Sequence, residues 1–551
     1  MKVDIVGLES SLEIASSTGS DQSLKLSKQW LKNCNDSHDA CRRRNSTVAN
    51  ILPTRLIEIG AEGPVVTLRL CLRKDVPINA VYFTLSHCWG KVSPKLVLLQ
   101  SNEEHMLRGI DFLQLSKTFQ DALWVVRQLG GQYIWIDSLC IVQDSKADWL
   151  RESARMCDVY SNSYCNICAT AARNGNEGMF RDRNPLQVKQ GWFRVDGKMI
   201  CVGDQDAWEK EVNNGTLSSR AWVCQERLLS RRNLHFGSRQ LFWECRQHSA
   251  SETFSKGLPR KASSLHLKSQ LPLLVDGSNN DQSNTSLETR AIWNLIVRMY
   301  MKCNLTYRAD KLIAIGGLAA TAHRTIGGRY LAGLWENHLP SGLLWATLDI
   351  PDPSKFAILG FETQEYIAPS WSWASLNAEI HFPLARRGTR DIEIYCQILE
   401  AHVDLTSDNL FGQLSGAYLK IKGELAPAHF YHKQVSLFSP NHESKSLSHF
   451  EKILYWDYED MNALELTQSL YLLPVCKSTI QEDQWQIGGL LLVPTRKVDW
   501  EFRRGGMFSY SDDESHQHFE SVCETFRKGF EDRKSSEWGR QEDGGFVLKM
   551  L

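Results

Sequence analysis

An alternation of strand-like and helix-like segments between residues 81 and 170 constrains the fold of this chain more than any other feature of its sequence. Three apolar runs of strand length alternate with two amphipathic stretches of helical period, and in chain order these segments cover residues 81–90, 118–129, 133–137, 149–160 and 165–170. Thr118 is the expected N-cap of the first helix, with Asp121 as its capping-box partner. This order is typical of an α/β sheet whose strands are at least partly parallel.

The segments on either side of this block differ from it in pattern. A helix is expected near the N-terminus, a further helical region follows the block, and short β-type runs separated by polar loops dominate the end of the chain. These changes predict four regions: an N-terminal helical segment, an α/β domain with its core at 80–245, a helical connector region and a β-rich C-terminal region. They span residues 1–50, 51–250, 251–375 and 376–551.

Charge and apolar patterning exclude several classes of protein. Lys and Arg total 63 and Asp and Glu total 64, and this balance argues against a general nucleic-acid binder, which needs an excess of positive charge. No apolar run approaches the ~18 uncharged residues that a membrane span needs, and Asp4 and Glu9 interrupt the N-terminus where a secretory signal would be apolar. We therefore expect a cytoplasmic protein without a membrane span, whose 15 cysteines are mostly buried, reduced thiols.

Three short blocks of unusual composition follow one another within the α/β region. They are Leu85-Ser-His-Cys-Trp-Gly90, then Trp135-Ile-Asp-Ser-Leu-Cys-Ile-Val-Gln-Asp144, then Arg220-Ala-Trp-Val-Cys-Gln-Glu-Arg-Leu-Leu229 with a terminal Trp243-Glu-Cys245. In this order the blocks resemble the heterokaryon-incompatibility (HET) domain family of fungal proteins. The chain departs from the family pattern at His87, where Tyr is usual, and at Ala221, where Gly is usual.

The resemblance implies both a fold and a function. HET domains are suspected of remote similarity to TIR domains, so the HET domain is expected to hold a TIR-like or flavodoxin-like, partly parallel sheet. The family implies fungal origin and programmed cell death after non-self recognition, with self-association or a protein encoded at an incompatibility locus as the partner. Some TIR domains cleave NAD at the nicotinamide bond, which makes NAD the candidate substrate and NAD glycohydrolase the candidate activity; no cofactor is expected.

Glu152 is the candidate catalytic residue. Its surroundings, Asp148-Trp-Leu-Arg-Glu152, are similar to the catalytic-glutamate helix of NAD-cleaving TIR domains. A carboxylate at this position could bind the ribose hydroxyls and stabilise an oxocarbenium-like transition state. The alternative is an ordinary exposed helix glutamate that faces Arg151 or Arg155.

The candidate substrate-binding residues follow predicted strands or belong to the third block. They are Ser86, His87, Trp89, Asp137, Arg220, Trp222 and Glu226. Asp137 ends a buried strand, where open α/β sheets place ligand groups, but it fits a cap of the following turn equally well. A core indole is the preferred interpretation of Trp89 over a stacking platform, and a buried structural pair is preferred for Arg220 over a diphosphate contact.

No metal site is predicted. Cys34, His38 and Cys41 have a helical spacing that could supply three zinc ligands, but a fourth is not evident and packing explains such stripes more often. The chain has no P-loop, HExxH or G-x-S-x-G motif, which disfavours phosphate-loop NTPases, zincin proteases and typical α/β-hydrolases.

Two further classes of function stay open. The HET domain could be a non-catalytic recognition or oligomerisation module, which a closed pocket at Glu152 would favour. Alternatively, the fold could have been recruited as an enzyme or accessory factor in small-molecule (secondary metabolite) biosynthesis. The 18 tryptophans would allow an aromatic-lined pocket for that role, and a large apolar pocket away from Glu152 would favour it.

Overall fold

The computed structural model describes most of the chain. The described residues are 14–42, 51–60, 67–90, 95–195, 198–259, 267–275, 282–348, 366–384, 391–431, 434–437, 454–456, 470–481, 484–495, 497–511, 516–517, 520–521, 523–524, 539–540 and 545–551. The chain divides into two compact units, which are described separately. Unit 1 comprises Met1–Gly277 with Cys303–Leu305, and unit 2 comprises Ser278–Lys302 with Thr306–Leu551. The division into four regions stays a prediction.

Unit 1 contains helices before, within and after the predicted α/β block. In chain order, its α-helices are α1 Asp21–Ser37, α2 Asp39–Arg42, α3 Glu103–Arg108, α4 Lys117–Gln128, α5 Asp137–Cys140, α6 Lys146–Asn162, α7 Ala221–Leu229 and α8 Leu267–Val275. Helix α4 begins at Lys117 with Ser116 as its N-cap, so the predicted N-cap at Thr118 is wrong. Asp121 accepts the backbone N–H of Met179 at 2.8 Å and pairs with the Lys117 ammonium, which explains a carboxylate there without a capping box.

The strands of unit 1 form one large sheet and one hairpin. They are β1 Arg55–Ile59, β2 Leu68–Leu72, β3 Tyr82–Ser86, β4 Tyr133–Trp135, β5 Asn166–Cys168, β6 Gly191–Val195, β7 Lys198–Val202, β8 Arg232–Phe236, β9 Leu241–Cys245 and β10 Ser249–Ser251. The sheet has eight strands in the order β10-β9-β8-β5-β3-β4-β1-β2, and β6 pairs with β7 in the separate hairpin.

The four central strands of the sheet are parallel. β3 pairs with β4 on one side and β5 on the other, and β5 pairs with β8, all in parallel register. Numbered along the chain, these strands follow the spatial order 2-1-3-4, which is the order of flavodoxin-like doubly wound sheets. The strands at both edges are antiparallel. The predicted α/β class with a partly parallel sheet is therefore confirmed.

Unit 2 is mainly β-structure, as predicted for the C-terminal region. Its α-helices are α9 Gln282–Met301 and α10 Ile313–Ile326. Its strands are β11 Tyr330–Leu331, β12 Leu334–Trp335, β13 Ala346–Thr347, β14 Ile380–His381, β15 Asp391–Ile394, β16 Cys396–Leu405, β17 Leu414–Gly423, β18 Ala426–Tyr431, β19 Gln434–Leu437, β20 Leu454–Trp456, β21 Leu470–Gln481, β22 Gln484–Pro494, β23 Glu501–Tyr510, β24 Gly539–Arg540 and β25 Phe546–Met550.

One large sheet organises unit 2. Its main path is β16-β17-β25-β23-β22-β21-β18-β19, and β15, β20 and β24 pair with β21, β23 and β25 respectively. The pairs are antiparallel apart from β23 with β25, which run parallel.

Tryptophans form much of the buried core of unit 2. Trp335, Trp345, Trp371 and Trp373 are each at most 1% exposed. Two of these indole N–H groups donate to backbone carbonyls. Trp345 Nε1 donates to the Trp371 carbonyl at 3.1 Å, and Trp373 Nε1 donates to the Gly333 carbonyl at 3.0 Å. These indoles fill the interior, which is the usual place of large aromatic side chains.

No helix within the described parts of the chain combines the length and the apolar character needed to cross a bilayer.

Candidate functional site

The carboxyl ends of β3, β4 and β5 meet at the point where the strand order reverses. The chain leaves β3 towards β4 on one side and leaves β5 towards β8 on the other, so the connections diverge between β3 and β5, where such sheets have a crevice. Ser86 is the last residue of β3, and Asp137 follows the end of β4 by two residues. Doubly wound sheets bind their ligands at this edge.

Ser86 is the centre of a buried polar cluster. Its hydroxyl donates to Glu226 Oε2 at 2.5 Å and accepts a hydrogen bond from Asn166 Nδ2 at 3.0 Å. The Tyr160 hydroxyl, from α6, adds a further hydrogen bond to the Glu226 carboxyl group. The cluster therefore joins β3 and β5 to helices α6 and α7.

The Glu226 carboxyl group has a pKa near neutral pH. Burial raises its pKa to about 7, and the charge of Asp137 acts in the same direction, whereas Arg220, Ser86 and Tyr160 partly oppose the shift. A carboxyl group with such a pKa exchanges a proton readily near pH 7, which suits acid–base work as well as structural hydrogen bonding.

His87 is a neutral imidazole held between two aromatic rings. Burial lowers its pKa to about 4, although Asp137 raises it. Nδ1 lies 3.8 Å from Asp137 Oδ1, and Nε2 is buried with no hydrogen-bond partner among the described residues. Phe119 presents its edge to the ring at 4.9 Å between centroids, and Trp89 lies nearly parallel to it at 6.4 Å. This ring nitrogen is a buried polar atom whose hydrogen-bonding capacity is not used by the described residues.

Three half-buried side chains form the rim above these groups. Trp89 Nε1 donates to Asp137 Oδ2 at 2.9 Å, and the Arg220 guanidinium donates to the backbone carbonyl of His87. Asp137 is the first residue of α5, and its Oδ1 also accepts the N–H of Ser138 at 2.7 Å. Its side chain is 24% exposed and is thus accessible to solvent.

Helices α6 and α7 meet through a pair of indoles. Trp149 and Trp222 pack edge to face with their centroids 6.4 Å apart, and both are half-buried. Trp222 therefore borders the rim by packing against Trp149 of α6.

Glu152 lies on the buried face of α6 and is only 1% exposed. Its Oε1 is 3.3 Å from Arg151 Nε. The alternative of an exposed glutamate that faces Arg151 is therefore correct about the neighbour and wrong about the exposure. Asp148, one turn earlier, pairs with Arg151 and with the buried Arg55. Glu152 and Asp137 both act electrostatically on the buried Cys140 thiol, whose pKa burial raises to about 12.

The structure thus brings most of the predicted site residues into one connected cluster. Hydrogen bonds, close approaches and electrostatic interactions link six of them: Ser86, His87, Trp89, Asp137, Arg220 and Glu226. Trp222 borders the cluster through Trp149, and the contact that Glu152 makes is to Arg151. Tyr160 and Asn166 were not predicted. A hydroxyl on the apolar stripe of α6 was the signal for Tyr160, because a buried hydroxyl needs a partner.

The third block also carries a structural ion pair beside the site. The Arg227 guanidinium binds both carboxylate oxygens of Glu244 at 2.9 Å, and both side chains are buried. The pKa of Glu244 lies well below its ordinary value because Arg227, His235 and Lys268 outweigh the effect of burial. This pair fixes α7 to β9 and so holds Glu226 under the crevice.

A second group of chemically capable side chains lies elsewhere in unit 1. Cys34, His38 and Cys41, the three zinc-ligand candidates of the sequence, are joined there by Cys245. Sequence spacing could not reveal this fourth side chain, because it lies more than 200 residues further along the chain.

A cleft of about 750 Å³ lies within unit 2. Polar and apolar groups line it, among them Arg329, Glu336 and Lys422, and none of the described residues around it is a tryptophan. The strand-end cluster is nevertheless the stronger candidate site, because it combines buried titratable groups with an unpartnered ring nitrogen.

A doubly wound α/β domain with polar and aromatic groups at its switch point belongs to the architectural class in which ligands, where present, lie at the carboxyl ends of the strands. Residues 82–226 match the family model described as Heterokaryon incompatibility protein (HET), and this segment is just over a quarter of the chain. The match begins at the start of β3 and ends at Glu226, so it encloses the cluster and confirms the recognition of a HET domain. No curated protein and no solved structure matches the chain. The HET domain relates the chain to heterokaryon incompatibility.

Proposed function

We propose that this chain is an effector of heterokaryon incompatibility that causes cell death after non-self recognition, and that its HET domain does so by hydrolysing NAD. The observation that carries the proposal is the site at the switch point. There, a buried polar floor of Ser86 and Glu226 meets an accessible rim that contains an indole, a guanidinium and a carboxylate. These are the groups that a dinucleotide needs, namely an aromatic platform, a phosphate contact and ribose acceptors.

The reaction requires little proton transfer before the bond breaks. The bond between C1′ of the ribose and the nicotinamide nitrogen breaks with its electron pair going to the pyridinium nitrogen, which becomes neutral. Water adds to C1′ and loses one proton, giving ADP-ribose and nicotinamide. The groups that help most are therefore a carboxylate that stabilises the positive ribose and an acceptor for the water proton.

The HET domain supplies a candidate for each task. Glu152 is the proposed carboxylate that stabilises the oxocarbenium-like transition state. Glu226, with a pKa of about 7, is half ionised near neutral pH and so can accept the proton of water. Arg220 is the proposed diphosphate contact, since its guanidinium reaches the end of β3 from the start of α7.

Access to Glu152 depends on Arg151. The Arg151 side chain is 54% exposed and pairs with both Glu152 and Asp148, so it covers the carboxylate from the solvent side. The arginine itself is exposed, but moving it leaves the buried Glu152 carboxylate without this partner, so substrate contacts have to offset that cost. We infer that substrate binding displaces Arg151 and exposes Glu152.

The test is the NAD content and survival of cells that express the full chain. Glu152→Gln is the test variant, and Glu104→Gln is the matched control because Glu104 is exposed on α3. Loss of NAD and death are expected with the parent and the control, and neither with Glu152→Gln at equal protein level. Death with intact NAD in all three would refute the enzymatic proposal.

A non-catalytic recognition module is the second candidate, and the burial of Glu152 favours it. A carboxylate that is 1% exposed and already paired is not poised for substrate in this conformation. If this candidate holds, the parent kills without NAD loss, and death depends on protein concentration as an assembly does. Sedimentation of the purified parent in an extract of cells that carry the incompatible partner then shows a larger species than the parent forms alone.

A further inference from the structure

Three cysteines and one histidine converge where the first helices reach the large sheet. Cys34 and His38 lie at the end of α1, Cys41 lies in α2, and Cys245 is the last residue of β9. Their Sγ and ring-nitrogen atoms all lie within 4.8 Å of one another. The three cysteines are at most 2% exposed. None of these side chains takes part in the proposed reaction.

The spacing of these atoms is close to that of a tetrahedral zinc site. Zinc binds sulfur at about 2.3 Å and imidazole nitrogen at about 2.0–2.1 Å, which places ligand atoms roughly 3.5–3.8 Å apart. His38 Nδ1 lies 3.3 Å from Cys245 Sγ, and the remaining separations reach 4.8 Å at most. Shifts of about 1 Å or less would therefore close the four atoms around one ion.

The sulfur atoms are surrounded by N–H donors. The Arg232 Nε–H donates to Cys34 Sγ at 3.1 Å, and the backbone N–H of His248 donates to Cys245 Sγ at 3.2 Å. The backbone N–H of Gln247 also faces Cys245, and that of Arg246 faces Cys41. Neutral thiols do not need so many donors, whereas metal-bound thiolates are held by such outer contacts.

We propose that Cys34, His38, Cys41 and Cys245 bind one Zn²⁺ as a tetrahedral Cys₃His site. Binding releases one proton from each of the three thiols, and no oxidant or reductant is involved. Three thiolates and Zn²⁺ carry a net charge of −1, which the adjacent Arg232 guanidinium balances. A closed set of four protein ligands leaves no open position, so the ion is structural and fastens α1 and α2 to the end of β9.

The first measurement is the zinc content of the purified full chain after dialysis without added metal. About one equivalent per chain is expected, released when the thiols are blocked with a mercurial reagent. Exchange with Co²⁺ is expected to give the visible absorption of a tetrahedral thiolate complex. A folded, reduced chain that holds no zinc and gives no such absorption with Co²⁺ overturns the proposal, as does a disulfide between two of these cysteines in protein purified from cells.

Variants locate the ion. Cys245→Ser and His38→Ala are expected to reduce zinc to a small fraction of an equivalent, whereas His38→Cys keeps four ligands and retains it. Cys71→Ser, which removes a buried thiol from β2, is the matched control and keeps its zinc. Zinc that persists in Cys245→Ser and His38→Ala would overturn the assignment. If those variants do not fold, the cobalt spectrum of the parent decides, since it reports on thiolate ligands directly.

Discussion

The Ser86 hydroxyl donates a 2.5 Å hydrogen bond to Glu226 Oε2 across 140 residues of sequence. Ser86 belongs to the first of the three blocks that identify the HET domain, and Glu226 belongs to the third. Asp137, from the second block, faces both His87 and Trp89 of the first. The residues that mark the family in sequence are therefore the residues that meet at the switch point of the sheet.

The Glu226 carboxyl group makes stability depend on pH in a defined direction. Its folded-state pKa of about 7 lies above the ordinary value of 4.5, so the folded chain binds this proton more tightly than the unfolded chain. The resulting stabilisation is complete below pH 4.5 and is lost as the pH rises to about 7. Glu226→Gln cannot titrate. The free energy of unfolding of the parent relative to the variant is thus expected to fall by about 3 kcal/mol over this range.

Urea unfolding of the parent, Glu226→Gln and the exposed control Glu104→Gln between pH 4.5 and pH 8 measures this difference. The control is expected to follow the parent at every pH. A parent-to-variant difference that does not change with pH would show that Glu226 has an ordinary pKa.

The buried pair of Arg227 and Glu244 predicts a large loss of stability when only one partner is removed. Arg227→Met leaves the Glu244 carboxylate buried without its bidentate partner, at an expected cost of about 3–5 kcal/mol. The double variant Arg227→Met/Glu244→Leu removes both charges and is expected to recover most of that loss. Chemical unfolding of the two single variants and the double variant gives the coupling energy, and simple additivity would contradict a coupled pair.

Arg151 is expected to restrain the proposed reaction. Arg151→Gln removes the positive side chain that covers Glu152, so more chains would expose the carboxylate. NAD hydrolysis is expected to rise by roughly threefold to tenfold, since the rate follows the fraction of chains in the competent state. Arg151→Lys keeps the charge and serves as the control, with a rate near that of the parent. A slower reaction in Arg151→Gln would show that Arg151 binds substrate instead of covering the site.

Gly333 is required by the tryptophan core of unit 2. Its φ is +99°, and a Cβ there would lie 2.6 Å from two ring atoms of the buried Trp373. Gly333→Ala is expected to cost at least about 2 kcal/mol through backbone strain and displacement of the indole. Gly342→Ala is the matched control, because its nearest neighbour would be 3.8 Å away. Equal thermal unfolding of the two variants would contradict this assignment.

The α/β architecture could be predicted from the sequence because the spacing of apolar residues differs between its strands and its helices. An exposed position was the alternative expected for Glu152, but its side chain is buried. Local patterns failed where a distant partner decides the outcome. Asp121 looked like a capping residue, but its partner is the backbone of Met179, 58 residues away.

The same limit explains what was missed at the two sites. Tyr160 fitted an apolar stripe, and only the fold shows that its hydroxyl reaches Glu226. Three of the four proposed zinc ligands are close together in the sequence and were visible there, whereas Cys245 comes from a strand that pairs into place only in the folded chain. Contacts between distant segments depend on topology, which residue spacing does not contain.

The central claim is that Glu152 supports the cleavage of NAD, and nicotinamide release from NAD by the purified full chain tests it most directly. The parent and Glu104→Gln are each expected to release nicotinamide and ADP-ribose in a one-to-one ratio. The two proteins are expected to do so at the same rate. Glu152→Gln is expected to be slower by about 100-fold or more, the usual cost of losing a group that stabilises transition-state charge. Equal release by the parent and Glu152→Gln, or no release by a folded parent, would contradict the claim.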